Sequence, residues 1–261
     1  MSAAETRTGA ARRGLRRPQY WLPVLSLAVF LAGWELVGRG IDPLLFAPPS
    51  RVAASFAELA RSGELLSAVL TTINTLLLGY GLAILVGIPV GVLLAQSATA
   101  GAVLRPYFYG IFATPRVVIV PLIIVWFGVG YPGRLFLVFL WSMIAIATST
   151  ADGVRNARPD LVEVARSYGV SRAQIARHVQ LPGSVPFVVA GLRIGAERAV
   201  VGVIIGEMFL QLTGLGGLIQ SKAQSFEPPA VLCAVVIIAV IGTALILSLD
   251  AVERRVSRWK E

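Results

Sequence analysis

Long apolar runs alternate with short polar segments along this chain, and the runs have the length of bilayer crossings, about 20 residues for a helix. The first covers residues 21–37 behind five arginines, Arg7, Arg12, Arg13, Arg16 and Arg17. No small-x-small cleavage pattern follows it, so it reads as a retained anchor helix rather than a secretory signal. After a polar stretch at 39–64, no charged residue occurs between residues 65 and 104. A second span is expected there at 68–95, where Gly79, Gly81, Gly87, Pro89 and Gly91 permit close helix approach or a bend. A third is expected at 108–129, containing Pro115, Arg116 and Pro121, and a fourth at 134–150 after the turn at 130–133. Apolar character stops between 152 and 182. The fifth span, 186–209, is interrupted only by Arg193, Glu197, Arg198 and Glu207, and the sixth, 230–249, carries no charge. The pattern predicts an all-α integral membrane protein: a basic tail 1–20, a membrane domain 21–250 of about six transmembrane helices, and a tail 251–261.

Composition strengthens this picture. Of the 261 residues, 56% are hydrophobic and 14% charged, against roughly 25% charged in an ordinary soluble domain. That excludes a disordered chain and argues against a soluble enzyme. The net charge of +9 is carried almost wholly by arginine, Lys222 and Lys260 being the only lysines. In so apolar a chain such a bias records loop orientation rather than nucleic-acid binding. The N-terminal tail, Arg105, the 152–182 segment and the C-terminal tail together hold fifteen basic residues; the opposite set, Arg39, Arg51, Arg61, Arg134 and Lys222, holds five. Both termini and the long polar segment are therefore expected in the cytoplasm.

The chain offers little chemistry of its own. It has no G-x-x-x-x-G-K-[ST] element, so it has no P-loop for a nucleotide phosphate, and energy for driven work has to enter through another subunit. His178 is the only histidine, which excludes a His-cluster metal site or a Ser-His-Asp triad built within the chain. No catalytic centre, cofactor or metal is expected. Cys233 has no partner for an intrachain disulfide. Gly214, Gly216 and Gly217, following Glu207, read as a tight re-entrant turn rather than a phosphate loop.

The polar segment 152–182 contains two successive helix starts. Asp160 with Glu163 is the acidic form of a capping box, and Ser171 with Gln174 the standard form. Leu161, Val164, Ala165 and Tyr168 give the first helix one apolar stripe, Gly169 supplies a left-handed turn, and Pro182 is expected to end the second helix. A basic helix-turn-helix of this kind could bind DNA, but it is about 30 residues long, lacks a third helix and is tied at both ends to membrane spans. A solvated connection is the plainer alternative. Docking of a cytoplasmic partner fits the context best.

Charges inside spans normally face a pathway or a partner. Arg193 and Glu197 are four residues apart and can pair on one helix face, whereas Arg198 and Glu207 lie on other faces. Structural pairing, an inter-subunit contact and lining of a path all remain open for this group. Arg116, beside Pro115, can snorkel or offer a positive site to an anion. If a pathway sees these arginines, its solute is anionic.

Several of these residues also carry a family resemblance. Glu163-Val164-Ala165, Gly169, then nine residues to Val179 and Leu181-Pro182 resemble the E-A-A-x-x-x-G-x(9)-I-x-L-P loop of membrane subunits of bacterial ATP-binding cassette importers. Pro121-Leu122, Trp126-Phe127-Gly128, Gly191-Leu192-Arg193, Glu207-Met208 and Gly214-Leu215-Gly216 look like the branch that imports nitrate, sulfonates, taurine and related small solutes. The resemblance covers residues 45–250; Thr75 departs from it, standing where many members carry Arg.

The resemblance implies a type I importer architecture and a permease that pairs with a second copy of itself, as a homodimer in the bacterial cytoplasmic membrane. It also implies two cytoplasmic ATPase subunits that bind ATP and Mg, and a soluble solute-binding protein outside. Glu163, Val164, Ala165, Gly169, Val179, Leu181 and Pro182 would couple the ATPase to the spans, and Arg116, Arg193, Glu197, Arg198 and Glu207 are candidates for the pathway or an inter-subunit contact. Two other classes compete. A secondary transporter would show internal repeats and midplane carboxylates, and neither a repeat nor a carboxylate in four of the six spans is found. The other is a membrane-anchored regulator using the helix-turn-helix segment.

Overall fold

The computed structural model describes residues 21–257; the basic tail 1–20 and residues 258–261 lie outside the described residues. In chain order the helices are α1 (Trp21–Gly40), α2 (Pro49–Arg61), α3 (Glu64–Gln96), α4 (Ala98–Ala113), α5 (Arg116–Phe127) and α6 (Tyr131–Asn156). They continue with α7 (Pro159–Ser167), α8 (Arg172–Ile175), a π-helical turn (Ala176–Gln180), α9 (Leu181–Phe209), α10 (Gly214–Gln224) and α11 (Pro228–Ser257).

The centre of the molecule is α6, sandwiched between α3 and α9. Apolar helices gain no hydrophobic drive from pairing in lipid, so they associate by close packing at small residues. Both flanking helices meet α6 through glycine. A Cβ added at Gly79 of α3 would lie 2.7 Å from Val138, and one at Gly195 of α9 would lie 2.8 Å from Ile146. Around these seams Leu76, Tyr80, Ala83, Val138, Ile146, Ala196, Ala199 and Val203 form the central core. A second core gathers Leu59, Leu65 and Ala68 with Leu215, Leu218, Ala230, Cys233 and Ala234. It brings the starts of α3 and α11 together with α2 and α10 at one end of the bundle. The α7–α8 element lies at the other end of α9.

Helix α1 is exposed along nearly its whole length. Its far end is anchored: Trp34 Nε1 donates to the Ala47 carbonyl at 3.0 Å, and Glu35 accepts from the Ser50 amide (3.0 Å) and hydroxyl (2.8 Å). Glu35 thereby serves the free N–H groups at the start of α2.

Several expected bounds shift. Among the described residues, four helices, α1, α3, α6 and α11, are long and apolar enough to cross a membrane, and the Arg172–Phe209 rod bent by 49° against α10 makes a fifth. The span expected at 108–129 is divided: α4 stops at Ala113 and α5 starts at Arg116. Thr114 is extended (φ −70, ψ 130), as a residue before proline prefers, and Pro115 has no N–H to continue the ladder. Helix α6 runs on to Asn156, α9 starts at Leu181 rather than 186, and α11 reaches Ser257. The glycines after Glu207 open a folded-back helix, α10, instead of making only a turn. Thr75 is buried in α3 and donates to the Thr71 carbonyl at 3.1 Å.

Candidate functional site

The polar segment between α6 and α9 is built from local signals. Arg158 takes a left-handed conformation (φ 45) directly before Pro159, which costs backbone energy for a non-glycine residue. Pro159 then heads α7. Asp160 lies inside the first turn, with an oxygen 3.5 Å from Arg158 Nη2. The expected Asp160–Glu163 capping box does not form, because Arg158 occupies the cap position. The other end of α7 is a Schellman closure around Gly169 (φ 72): the Val170 amide donates to the Ala165 carbonyl at 3.1 Å and the Gly169 amide to Arg166 at 3.0 Å. The Ser171–Gln174 capping box is present in both directions, with Gln174 N to Ser171 Oγ at 3.3 Å and Ser171 N to Gln174 Oε1 at 3.1 Å.

Pro182 does not end the second helix. The chain passes from α8 through the π turn into α9, and the Leu181 amide donates to Ala176, five residues back. A π turn widens the ladder just ahead of the proline, where an α turn would press the ring on the carbonyl of His178. His178 Nδ1 itself lies 3.0 Å from the Gln174 carbonyl. One helical rod thus joins Arg172 to Phe209.

The segment is held by a few apolar residues and presents the rest. Val162, Ile175 and Ala176 are buried, whereas Leu161, Val164 and Tyr168 of the α7 stripe are exposed, Tyr168 at 83%. Glu163, Gly169 and Pro182 are exposed as well, with Ala165, Val179 and Leu181 half-buried. A rigid two-helix projection with an uncovered apolar stripe is a surface for a partner.

The charges along the spans separate into distinct roles. Arg193 does not pair with Glu197, which is exposed. It reaches across to α11, where it meets Asp250 and, at 2.5 Å, Glu253; two carboxylates from a neighbouring helix outcompete one on its own. Arg198 is half-buried on α9. Arg116 heads α5, and its side chain lies outside the described residues.

Glu207 is fully buried. Its carboxylate accepts from the Thr72 hydroxyl, at 2.9 Å to each oxygen, and from the Gly216 amide at 2.9 Å. Arg134, counted by sequence among the basic residues opposite the cytoplasmic set, is 4% exposed. Its guanidinium donates to Thr213 and sits 5.4 Å from the Tyr131 ring centroid. Sequence reasoning missed Thr72, Arg134 and Thr213 in this cluster, since a threonine in an apolar run and an arginine at a helix start carry no distinguishing pattern.

Residues 87–258 match the family of binding-protein-dependent transport system inner membrane components. The chain is 31% identical over 248 residues to the taurine transport system permease protein of Escherichia coli, covering 92% of this chain and 90% of that protein. It is 28% identical over 263 residues to a putative aliphatic sulfonates transport permease protein of Bacillus subtilis (99% and 95% covered). With the riboflavin transport system permease protein of Chloroflexus aurantiacus it shares 30% identity over 260 residues (98% and 97% covered). Among solved structures, an amino acid ABC transporter chain superposes with a TM-score of 0.62 at 23% identity, covering 77% of this chain and 98% of that one. A chain of the inward-facing MetNI methionine ABC transporter gives 0.61 at 20% identity, with 74% and 95% covered. At these identities the superpositions speak for the fold.

Proposed function

This chain belongs to the family of binding-protein-dependent transport system inner membrane components, and from that premise we propose that it is the permease subunit of an ATP-driven importer of a small sulfonate-type anion. The observation that carries the ATP-driven part is the exposed α7–Gly169–α8 projection at the foot of the Arg172–Phe209 rod. Its apolar stripe, Leu161, Val164 and Tyr168, is the surface that a cytoplasmic ATPase subunit covers. Glu163, Val164, Ala165 and Gly169 make the contact, and Val179, Leu181 and Pro182 carry its displacement into α9.

ATP and Mg belong to that separate subunit. The permease works as a homodimer, two ATPase subunits sit beneath it, a solute-binding protein delivers from outside, and both termini are cytoplasmic. ATP-driven closure of the ATPase pair biases the dimer between outward-open and inward-open packings.

The substrate reading rests on relatives named for taurine and aliphatic sulfonates, which are anionic at the sulfonate. Arg116 and Arg198 are its candidate path residues. Arg193 suits an anion less well, since Asp250 and Glu253 already face it. The complex purified with its neighbouring subunits and reconstituted in liposomes should import an aliphatic sulfonate such as ethanesulfonate only with binding protein on one face and ATP on the other. Uptake without ATP, or preference for uncharged riboflavin over ethanesulfonate, would overturn the ATP-driven or the anionic part respectively.

A further inference from the structure

The rod that starts at the cytoplasmic projection ends on the most buried carboxylate described in the chain. From Arg172 to Phe209 it spans about 57 Å at 1.5 Å per residue. Glu207, in its last turn, is 0% exposed and meets side chains or backbone of two other helices. The Leu215 amide donates to Thr72 Oγ1 at 2.9 Å, Thr72 donates onward to the Glu207 carboxylate, and the Gly216 amide donates to Oε2 of the same carboxylate. Two of the N–H groups that α10 leaves free at its start are thus taken by α3 and α9.

The glycines around them are explained by the same contact. A Cβ at Gly214 would lie 2.2 Å from Glu207 Oε1, and one at Gly216 would lie 2.7 Å from the Glu207 Cβ. On α6, Arg134 binds Thr213, the residue before α10, and its side chain packs on Gly206 of α9. Apolar contact alone would hold α10 against α3, α9 and α11 with freedom to slide. A buried carboxylate repays its lost hydration only while its donors stay in place, so this network specifies one position.

We propose that the Glu207–Thr72 network is a latch that fastens α10 and the start of α3 to the end of the rod, so that displacement at the cytoplasmic projection moves these joined ends of α3, α9 and α10 as one body. Glu207 and Thr72 are positioning residues for gating at the end remote from the ATPase. The inference rests on the importer reading for its role, and on the hydrogen bonds alone for the fastening.

The test uses the complete permease–ATPase complex and two readouts, hydrogen exchange of the 213–224 segment and solute imported per ATP hydrolysed. The Gly216 amide in Glu207→Ala and the Leu215 amide in Thr72→Val should each exchange about tenfold faster, the order expected for one lost hydrogen bond. Import per ATP should fall by a similar factor. Thr72→Ser, which keeps the hydroxyl, should restore both readouts, and the Thr72 pair decides the matter if Glu207→Ala fails to insert. Unchanged exchange, unchanged coupling despite faster exchange, or a Thr72→Ser variant as impaired as Thr72→Val would each overturn the latch. A wild-type complex that imports nothing would overturn the importer reading instead, while the exchange comparison still decides whether α10 is fastened.

Discussion

Gly169 is the residue on which the α7–α8 projection turns. A side chain there would meet nothing within 4 Å, but φ is 72, so the demand on this position is conformational rather than steric. Valine at positive φ should cost about 1–3 kcal/mol and re-aim α8, whereas asparagine, which visits this region readily, should be close to neutral. The expected outcome is that Gly169→Val reaches the membrane at normal level but loses copurifying ATPase and uptake, while Gly169→Asn keeps both. Equal uptake by the two variants would count against the turn as the coupling element. Such a residue is legible in sequence because its neighbours announce it within a few positions. Arg193, Arg134 and Thr72 are not, because their partners lie far away: Asp250 is 57 residues from Arg193, and Glu207 is 135 residues from Thr72.

At the scale of elements, local sequence signals hold where one register applies and fail where the register changes. The Ser171–Gln174 box is a contact between positions three apart, and Ser171→Ala should lower the stability of α8 by about 1 kcal/mol. Faster amide exchange confined to residues 172–176 would show it. The Asp160–Glu163 box failed because Pro159 claims the first helical position and shifts the cap to Arg158. Pro182 misled for a related reason: the rule that proline ends a helix assumes α hydrogen bonding, and the preceding turn is π. The α3–α6–α9 sandwich was foreshadowed by the glycines of α3, yet their register against Val138 and Ile146 emerges only with the fold. That register makes a direct forecast. Gly195→Leu would drive α9 away from α6 and should destabilise the bundle by about 1–3 kcal/mol or more, seen as a lower Tm in detergent.

For the molecule as a whole, the packing fixes which ends lie together. Leu59 and Leu65, beside the α2–α3 turn, share a core with Leu215 of α10 and Ala230 of α11. The starts of α3 and α11 are therefore at one end of the bundle, and α11, 30 residues long, carries Ser257 about 45 Å away at 1.5 Å per residue. The α7–α8 projection is at that second end, since it continues directly into the start of α9 while α10 follows the end of α9. From the arginine bias this second end is expected in the cytoplasm. In a Cys233→Ala background, an impermeant maleimide should label Ser62→Cys in intact cells whose outer layer is permeable to it. It should label Ser257→Cys and Tyr168→Cys only after the cytoplasmic membrane is opened. Tyr168 is 83% exposed in the isolated chain, so its cysteine should then become protected when the ATPase is bound, whereas Ser257→Cys provides the same-side control. Labelling of Ser62→Cys and Ser257→Cys from one face would overturn the topology. A Tyr168→Cys that stays equally reactive with the ATPase bound would leave the topology standing and remove the α7 stripe from the contact.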